Sequence, residues 1–176
     1  QATEGESVTT IAPTEGRIAY RLGVAPAGLT FTRVALSAAG ELPIAAPLEA
    51  IATGRADGPR FVAAPLDLEI ERAGGLLPAG AVVPRERVER LFRALSSSRE
   101  VTLEGEPVRV SIERIPPVAL VRDRGAGFWV ELTEDPRVTR NFAAGVLLLG
   151  DRLALRGEAP LNARERDGVG QAIEVP

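Results

Sequence analysis

The sequence predicts an α+β fold: a single domain with a mixed or antiparallel sheet and two or three helices on one face. Three observations predict it. Two alternating runs flank a short Pro/Gly turn near the N-terminus, an amphipathic helix stands mid-chain, and a string of short β-type runs follows. The order of hairpin, helices and then strands argues against a doubly wound arrangement, which would alternate the two element types throughout.

Residues 1–16 show little apolar periodicity and read as a flexible lead-in. In Arg17–Val24, Ile18, Tyr20 and Leu22 alternate with Arg17, Ala19 and Arg21, the pattern of a half-buried strand. Ala25–Gly28 is a turn, and Leu29–Ser37 alternates again around Thr30, Phe31, Thr32 and Val34, completing a hairpin. Seven Gly and Pro residues between Ala38 and Pro65 forbid long regular elements there and leave room for one short helix near Pro47–Thr53.

Pro65–Ala73 carries two signals. Leu66, Leu68 and Ile70 alternate with Asp67, Glu69 and Glu71, which suits a strand. Pro65 suits a first helical turn, acids suit the helix N-terminus, and Gly74 suits the position past the end, so we read a helix. Pro84–Leu95 is the clearest helix. Val88, Leu91, Phe92 and Leu95 fall at i, i+3, i+4 and i+7, charges fill the other face, and Glu86–Arg90 and Glu89–Arg93 are i,i+4 pairs.

Ser96–Ser98 ends that helix. Glu100–Leu103, Val108–Ile112, Pro117–Arg122, Phe128–Leu132, Gly145–Leu149 and Leu153–Leu155 then read as a meander of small strands. The α+β domain spans 17–156, and 157–176 is an extended tail. The run GVLLLGDRLAL is the most apolar hairpin, with Gly150-Asp151 as a type II′ turn. We expect Gly145–Leu155 to supply the exposed sheet edge and the tail or a neighbouring chain to cover it. Truncation after Arg156 is then expected to expose Val146, Leu148 or Leu153.

Composition narrows the chemistry. The 176 residues suffice for one domain with a hydrophobic core. The chain has no Cys, His or Met, all 21 basic residues are Arg, and the net charge is −3. Without Cys there is no disulfide, iron–sulfur cluster or thiolate zinc site, and without His no Ser-His-Asp triad or imidazole shuttle. No stretch approaches the roughly 18 apolar residues of a membrane helix, and the Cys-free composition fits a reducing cytoplasm, the expected location. The all-Arg, Ala/Gly/Pro-rich composition suggests a GC-rich genome, and Gln1 in place of Met suggests a processed product or a piece of a longer chain.

The acidic trio Asp67, Glu69 and Glu71 is the best candidate for carboxylate chemistry. On a helix Asp67 and Glu71 share a face; on a strand all three do. Either geometry suits Mg²⁺ or an acid–base pair. No second acidic motif partners the trio, so we expect a solvated face opposite Leu66 and Ile70. The serine run has no candidate base nearby. Gly74-Gly75, Gly125–Gly127 and Gly168–Gly170 fit no phosphate loop, and a chain without Lys has no P-loop. We expect no cofactor and no metal.

Between Pro84 and Arg124, nine Arg and seven acids leave a net of +2. Phosphate binding draws on a same-sign patch, and here acids interleave with the arginines, so a direct nucleic-acid contact is the lesser reading. Arg122, Arg124 and Trp129 are the candidate interaction surface. The charged turn Arg122-Asp123-Arg124-Gly125 precedes the strand carrying the single Trp. If Phe128 and Val130 face the core, Trp129 lies on the opposite surface as a docking residue, unless a helix covers that side too.

The run from Tyr20 (YRL) through LTFTRVAL, PRFVAAPLDLEIERAGG and LLPAGAVVPRERVERLFRAL, into VTLEGEPVRV and GFWVEL, resembles the N-terminal, non-motor region of bacterial Swi/Snf-type helicase-like ATPases. The resemblance covers Arg17 to Arg156 and rests on element order and apolar positions. The motor's own signatures, a Walker lysine, a DExx box and zinc-binding cysteines, do not occur. The resemblance implies an accessory piece of a larger machine without its catalytic residues. The expected function is therefore a non-catalytic accessory or protein-interaction domain of a multi-component bacterial assembly, with a protein partner. The alternatives are a nucleic-acid-associated module of such an ATPase and a carboxylate-dependent metal enzyme.

Overall fold

A computed structural model describes residues 16–58, 60–98, 100–123, 125, 127–159 and the backbone of 172–173. The alternating runs form β1 (Gly16–Ala25) and β2 (Gly28–Ser37), paired antiparallel from Arg17↔Leu36 to Ala25↔Gly28 around the turn residues Pro26 and Ala27. The free side of β2 takes β3 (Gly40–Pro43) and β5 (Ala81–Val82). The free side of β1 takes β4 (Phe61–Val62) and β6 (Val101–Leu103), both parallel to it, and β7 (Glu106–Pro107) pairs with β6.

Three helices lie between these strands: α1 (Leu48–Ala52), α2 (Pro65–Gly74) and α3 (Arg85–Leu95). Pro65 opens α2 and Pro84 sits at the N-cap of α3, where a missing N–H costs nothing. The i, i+3, i+4, i+7 set of α3 is wholly buried. With Ile70 it packs in one cluster with Ile18, Tyr20, Leu22, Leu29 and Phe31. Each such side chain contributes roughly 1.5–3 kcal/mol of burial. Glu89 and Arg93 pair at 3.3 Å, whereas Glu86 and Arg90, both exposed, do not.

The chain is therefore α+β, with strand predominating. The later strands do not form the expected meander. They divide among three sheets, because β6 joins β1 and β8 (Arg109–Ile115) pairs in parallel with β13 (Arg152–Arg156). The second sheet runs β11 (Arg140–Phe142), β12 (Val146–Leu149), β13, β8. Val146, Leu153 and Leu155 join the main core from one face, and Leu147, Leu149 and Ala154 form a second cluster with Ile115 on the other.

That placement corrects the expected edge. β12 and β13 are interior strands, apolar because both faces are buried. Their turn is as expected: Leu149 pairs with Arg152, and Gly150 alone has positive φ, 61°, as type II′ requires. Arg109 bonds Asp151 at 3.0 Å and holds its carboxyl below the usual carboxylate range.

The third sheet comprises β9 (Val118–Asp123), β10 (Phe128–Thr133) and β14 (Ala172–Ile173), in the order β14-β10-β9. Within the tail's range, these two β14 residues pair with β10, not with β12 or β13. Among the described residues no helix is long and apolar enough to cross a membrane.

Candidate functional site

The two acids expected to share a helix face do so, but that face is not solvated. Tyr20 and Arg33 stand opposite each other across β1 and β2 on the face that α2 covers. The Tyr20 hydroxyl donates to Asp67 Oδ1, and Arg33 Nη1 donates to Glu71 Oε2. Each carboxylate has a second duty. Asp67 Oδ2 accepts the Ala64 N–H at 2.6 Å, closing the first turn of α2, and Glu71 Oε2 accepts the Leu48 N–H at 2.9 Å, tying down the start of α1. Arg33 Nη2 also donates to the Ala46 carbonyl at 3.2 Å.

This cluster is a fastening. The Arg33 side chain is 3% exposed and that of Glu71 14%, so the pair is shielded from solvent and its members are committed to each other. Burial, and behind it the Asp67 hydrogen bond, pushes the Tyr20 phenol far above its ordinary range. The ring stacks on Phe31 with centroids 6.0 Å apart. Glu69 points outward and is exposed. Among the described residues no group of three acids converges closely enough to hold a metal ion. Sequence reasoning missed Tyr20 and Arg33; the available signal was an arginine at an inward position of an otherwise apolar alternating strand.

The candidate contact residues fall on the third sheet. Arg122 lies on β9 directly opposite Trp129 on β10, and its Nε sits 3.3 Å from Glu131. Arg122 is exposed and Trp129 half-buried; Arg124 lies outside the described residues. Phe128 and Val130 do not face the core. Phe128 is 40% exposed, Val121 64%, and no residue of β9 or β10 is buried. The register places Ala119, Val121, Asp123, Phe128, Val130 and Leu132 on one face, and Val118, Leu120, Arg122, Trp129, Glu131 and Thr133 on the other. This is a two-sided ribbon standing outside both hydrophobic clusters.

The remaining surface is only partly paired, with Arg72 of α2 and Arg85, Arg87 and Arg90 of α3 exposed. Twelve described arginines form ion pairs with acids. A cleft of about 380 Å³ is lined by Arg85, Arg114 and Arg156, but Arg114 pairs with Glu89 at 2.6 Å and Arg156 with Glu134. The serine run is a helix-ending turn, with Ser96 Oγ donating to the Arg93 carbonyl at 2.8 Å and Ser98 Oγ accepting the Glu100 N–H at 3.3 Å. Set against known protein families, curated proteins and solved structures, the chain has no match in any of the three.

Proposed function

We propose that this chain is a non-catalytic accessory domain that makes protein–protein contacts through the β9–β10 ribbon, as part of a larger bacterial assembly. The observation that carries the reading is the ribbon's placement: two paired strands without a buried residue, presenting Val121 and Phe128 to solvent. Apolar side chains on an element outside the core contribute little to folding, and their exposed area favours a contact with another macromolecule. The ribbon's own charges are internally matched, Arg122 with Glu131, and Asp123 with the Gly125 N–H at 2.8 Å. Recognition would then rest on apolar contact and main-chain pairing.

Two further features support a non-catalytic role. The strongest carboxylate pair, Asp67 and Glu71, is occupied in holding α2 and α1 to the sheet. Twelve described arginines are ion-paired, which reduces the positive charge free to neutralise phosphates. A non-motor part of a Swi/Snf-type ATPase is one form that such an assembly would take.

The test is photo-cross-linking in the source cell. Benzoylphenylalanine placed at Val121 or Phe128 should give a discrete protein adduct that the same probe at Arg17, exposed on the first sheet, does not give. Equal labelling at all three positions, or none, would overturn the reading.

A further inference from the structure

We infer that the free edge of β9 pairs with the same edge of a second copy of this chain, antiparallel and centred on Leu120. The inference rests on the contact role proposed for the ribbon and names what one of its edges takes.

The first observation is a contrast among sheet edges. An edge strand presents unpaired N–H and C=O groups, and proteins blunt such edges with Pro, charge or irregularity. The outer strands of the other two sheets are blunted or very short: Glu41 and Pro43 stand on β3 and Pro107 on β7, β4 and β5 have two residues each, Arg140 of β11 is bridged to Glu104, and β8 carries Glu113 and Arg114. β9 differs. Among the described residues it pairs only with β10 and its register there has no bulge. Its charges, Arg122 and Asp123, sit at its last two positions and Pro117 precedes it, so Val118–Val121 is an uninterrupted uncharged run of four, against three on β8.

The second observation is self-complementarity. Directly opposed residues in an antiparallel ladder share a face, so a two-fold pairing of β9 with itself must centre on a residue. Centring on Val121 sets Ala119 against Asp123 and Leu120 against Arg122, mixing charge with apolar groups. Centring on Leu120 sets Leu120 against its own copy, Ala119 against Val121, and Val118 against Arg122, whose guanidinium keeps its own Glu131. No like charges meet. Each ribbon would then continue into the other, leaving the apolar face of β10 for further contact.

Five paired residues make a small interface, so the pairing belongs to the weak, reversible class, with dissociation constants on the order of micromolar. The chain has no cysteine, so a single introduced thiol reports its own neighbour. Leu120→Cys should give a covalent dimer under mild oxidation, because directly opposed residues lie within disulfide reach. Val121→Cys and Arg17→Cys should give at least about fivefold less, a factor worth roughly 1 kcal/mol of preference. Sedimentation velocity of the unaltered chain should show reversible dimer growth between about 1 μM and 1 mM, and Val121→Lys should shift that growth to at least about tenfold higher concentration.

A monomer throughout that range, or Leu120→Cys dimerising no more than Arg17→Cys, overturns the pairing. The photo-cross-link at Val121 separates this failure from failure of the contact reading. An adduct with a different protein and none between copies would remove only the self-pairing, whereas no specific adduct would remove both.

Discussion

Tyr20 and Arg33 face each other across the β1–β2 ladder, and each donates to a carboxylate on the same side of α2, one helical turn apart. Adjacent strands and one helix are thereby joined through two parallel polar contacts. Glu71 extends the connection to α1 through the Leu48 N–H. The junction orients the helical layer on the first sheet, while the ribbon that we propose as the contact element lies outside it.

Breaking the shielded ion pair from one side should be costly. Glu71→Ala leaves the Arg33 guanidinium buried without a counter-charge and frees the Leu48 N–H, and we expect a loss of about 3–5 kcal/mol in denaturant unfolding. Arg33→Met combined with Glu71→Leu removes both charges and should lose less than Glu71→Ala alone.

Alkaline pH should weaken the fold through Tyr20. Its folded-state pKa is raised above the unfolded value of 10.0, so the folded state holds the phenolic proton more tightly. The associated stability is fully present below about pH 10 and is lost progressively as pH rises beyond it. Denaturant midpoints between about pH 9 and 12 should therefore fall for the parent chain, and fall less steeply for Tyr20→Phe. At neutral pH, Tyr20→Phe should cost about 1–2 kcal/mol for the lost bond to a charged acceptor.

Gly74 closes α2 against the aromatic stack. A Cβ there would stand 2.9 Å from Phe31 Cε1, and Phe31 is 2% exposed and stacked on Tyr20. The ring has no room to retreat. Gly74→Ala should therefore destabilise by about 1–3 kcal/mol in spite of alanine's better helix propensity, measured by thermal or denaturant unfolding.

Truncation after Arg156 has a different expected outcome from the one the sequence suggests. Val146 and Leu153 are in the main core on interior strands, so their amide exchange should be unchanged. The truncation removes Ala172–Ile173 from β10. Exchange should quicken in Phe128–Thr133, observed by mass spectrometry on peptide fragments.

Elements fixed by local chemistry were legible in the sequence. The spacing of Val88, Leu91, Phe92 and Leu95 located α3, and Pro65 outweighed a period-two pattern in α2, although the helix stops one residue later than expected: Gly74 is helical and Gly75 takes the left-handed φ of 73°. Pairing across long separations was not. Nothing in Val101–Leu103 names Tyr20–Leu22 as its parallel partner, because an apolar run records only that it is buried. The acids of α2 looked solvated because their partners, Tyr20 and Arg33, come from strands more than thirty residues upstream. Phe128 and Val130 alternate like core residues because pleating imposes that period on any strand, including one with no core beside it.

The most direct measurement of the central claim is the unfolding free energy of the double substitution Val121→Asp, Phe128→Ser. If the ribbon is a contact element, these side chains support no core, and stability should stay within about 0.5 kcal/mol of the parent, while the photo-cross-link from benzoylphenylalanine at Val130, on the same face of the ribbon, disappears. A loss above about 2 kcal/mol would mean that Val121 and Phe128 hold the fold together, and would contradict the account.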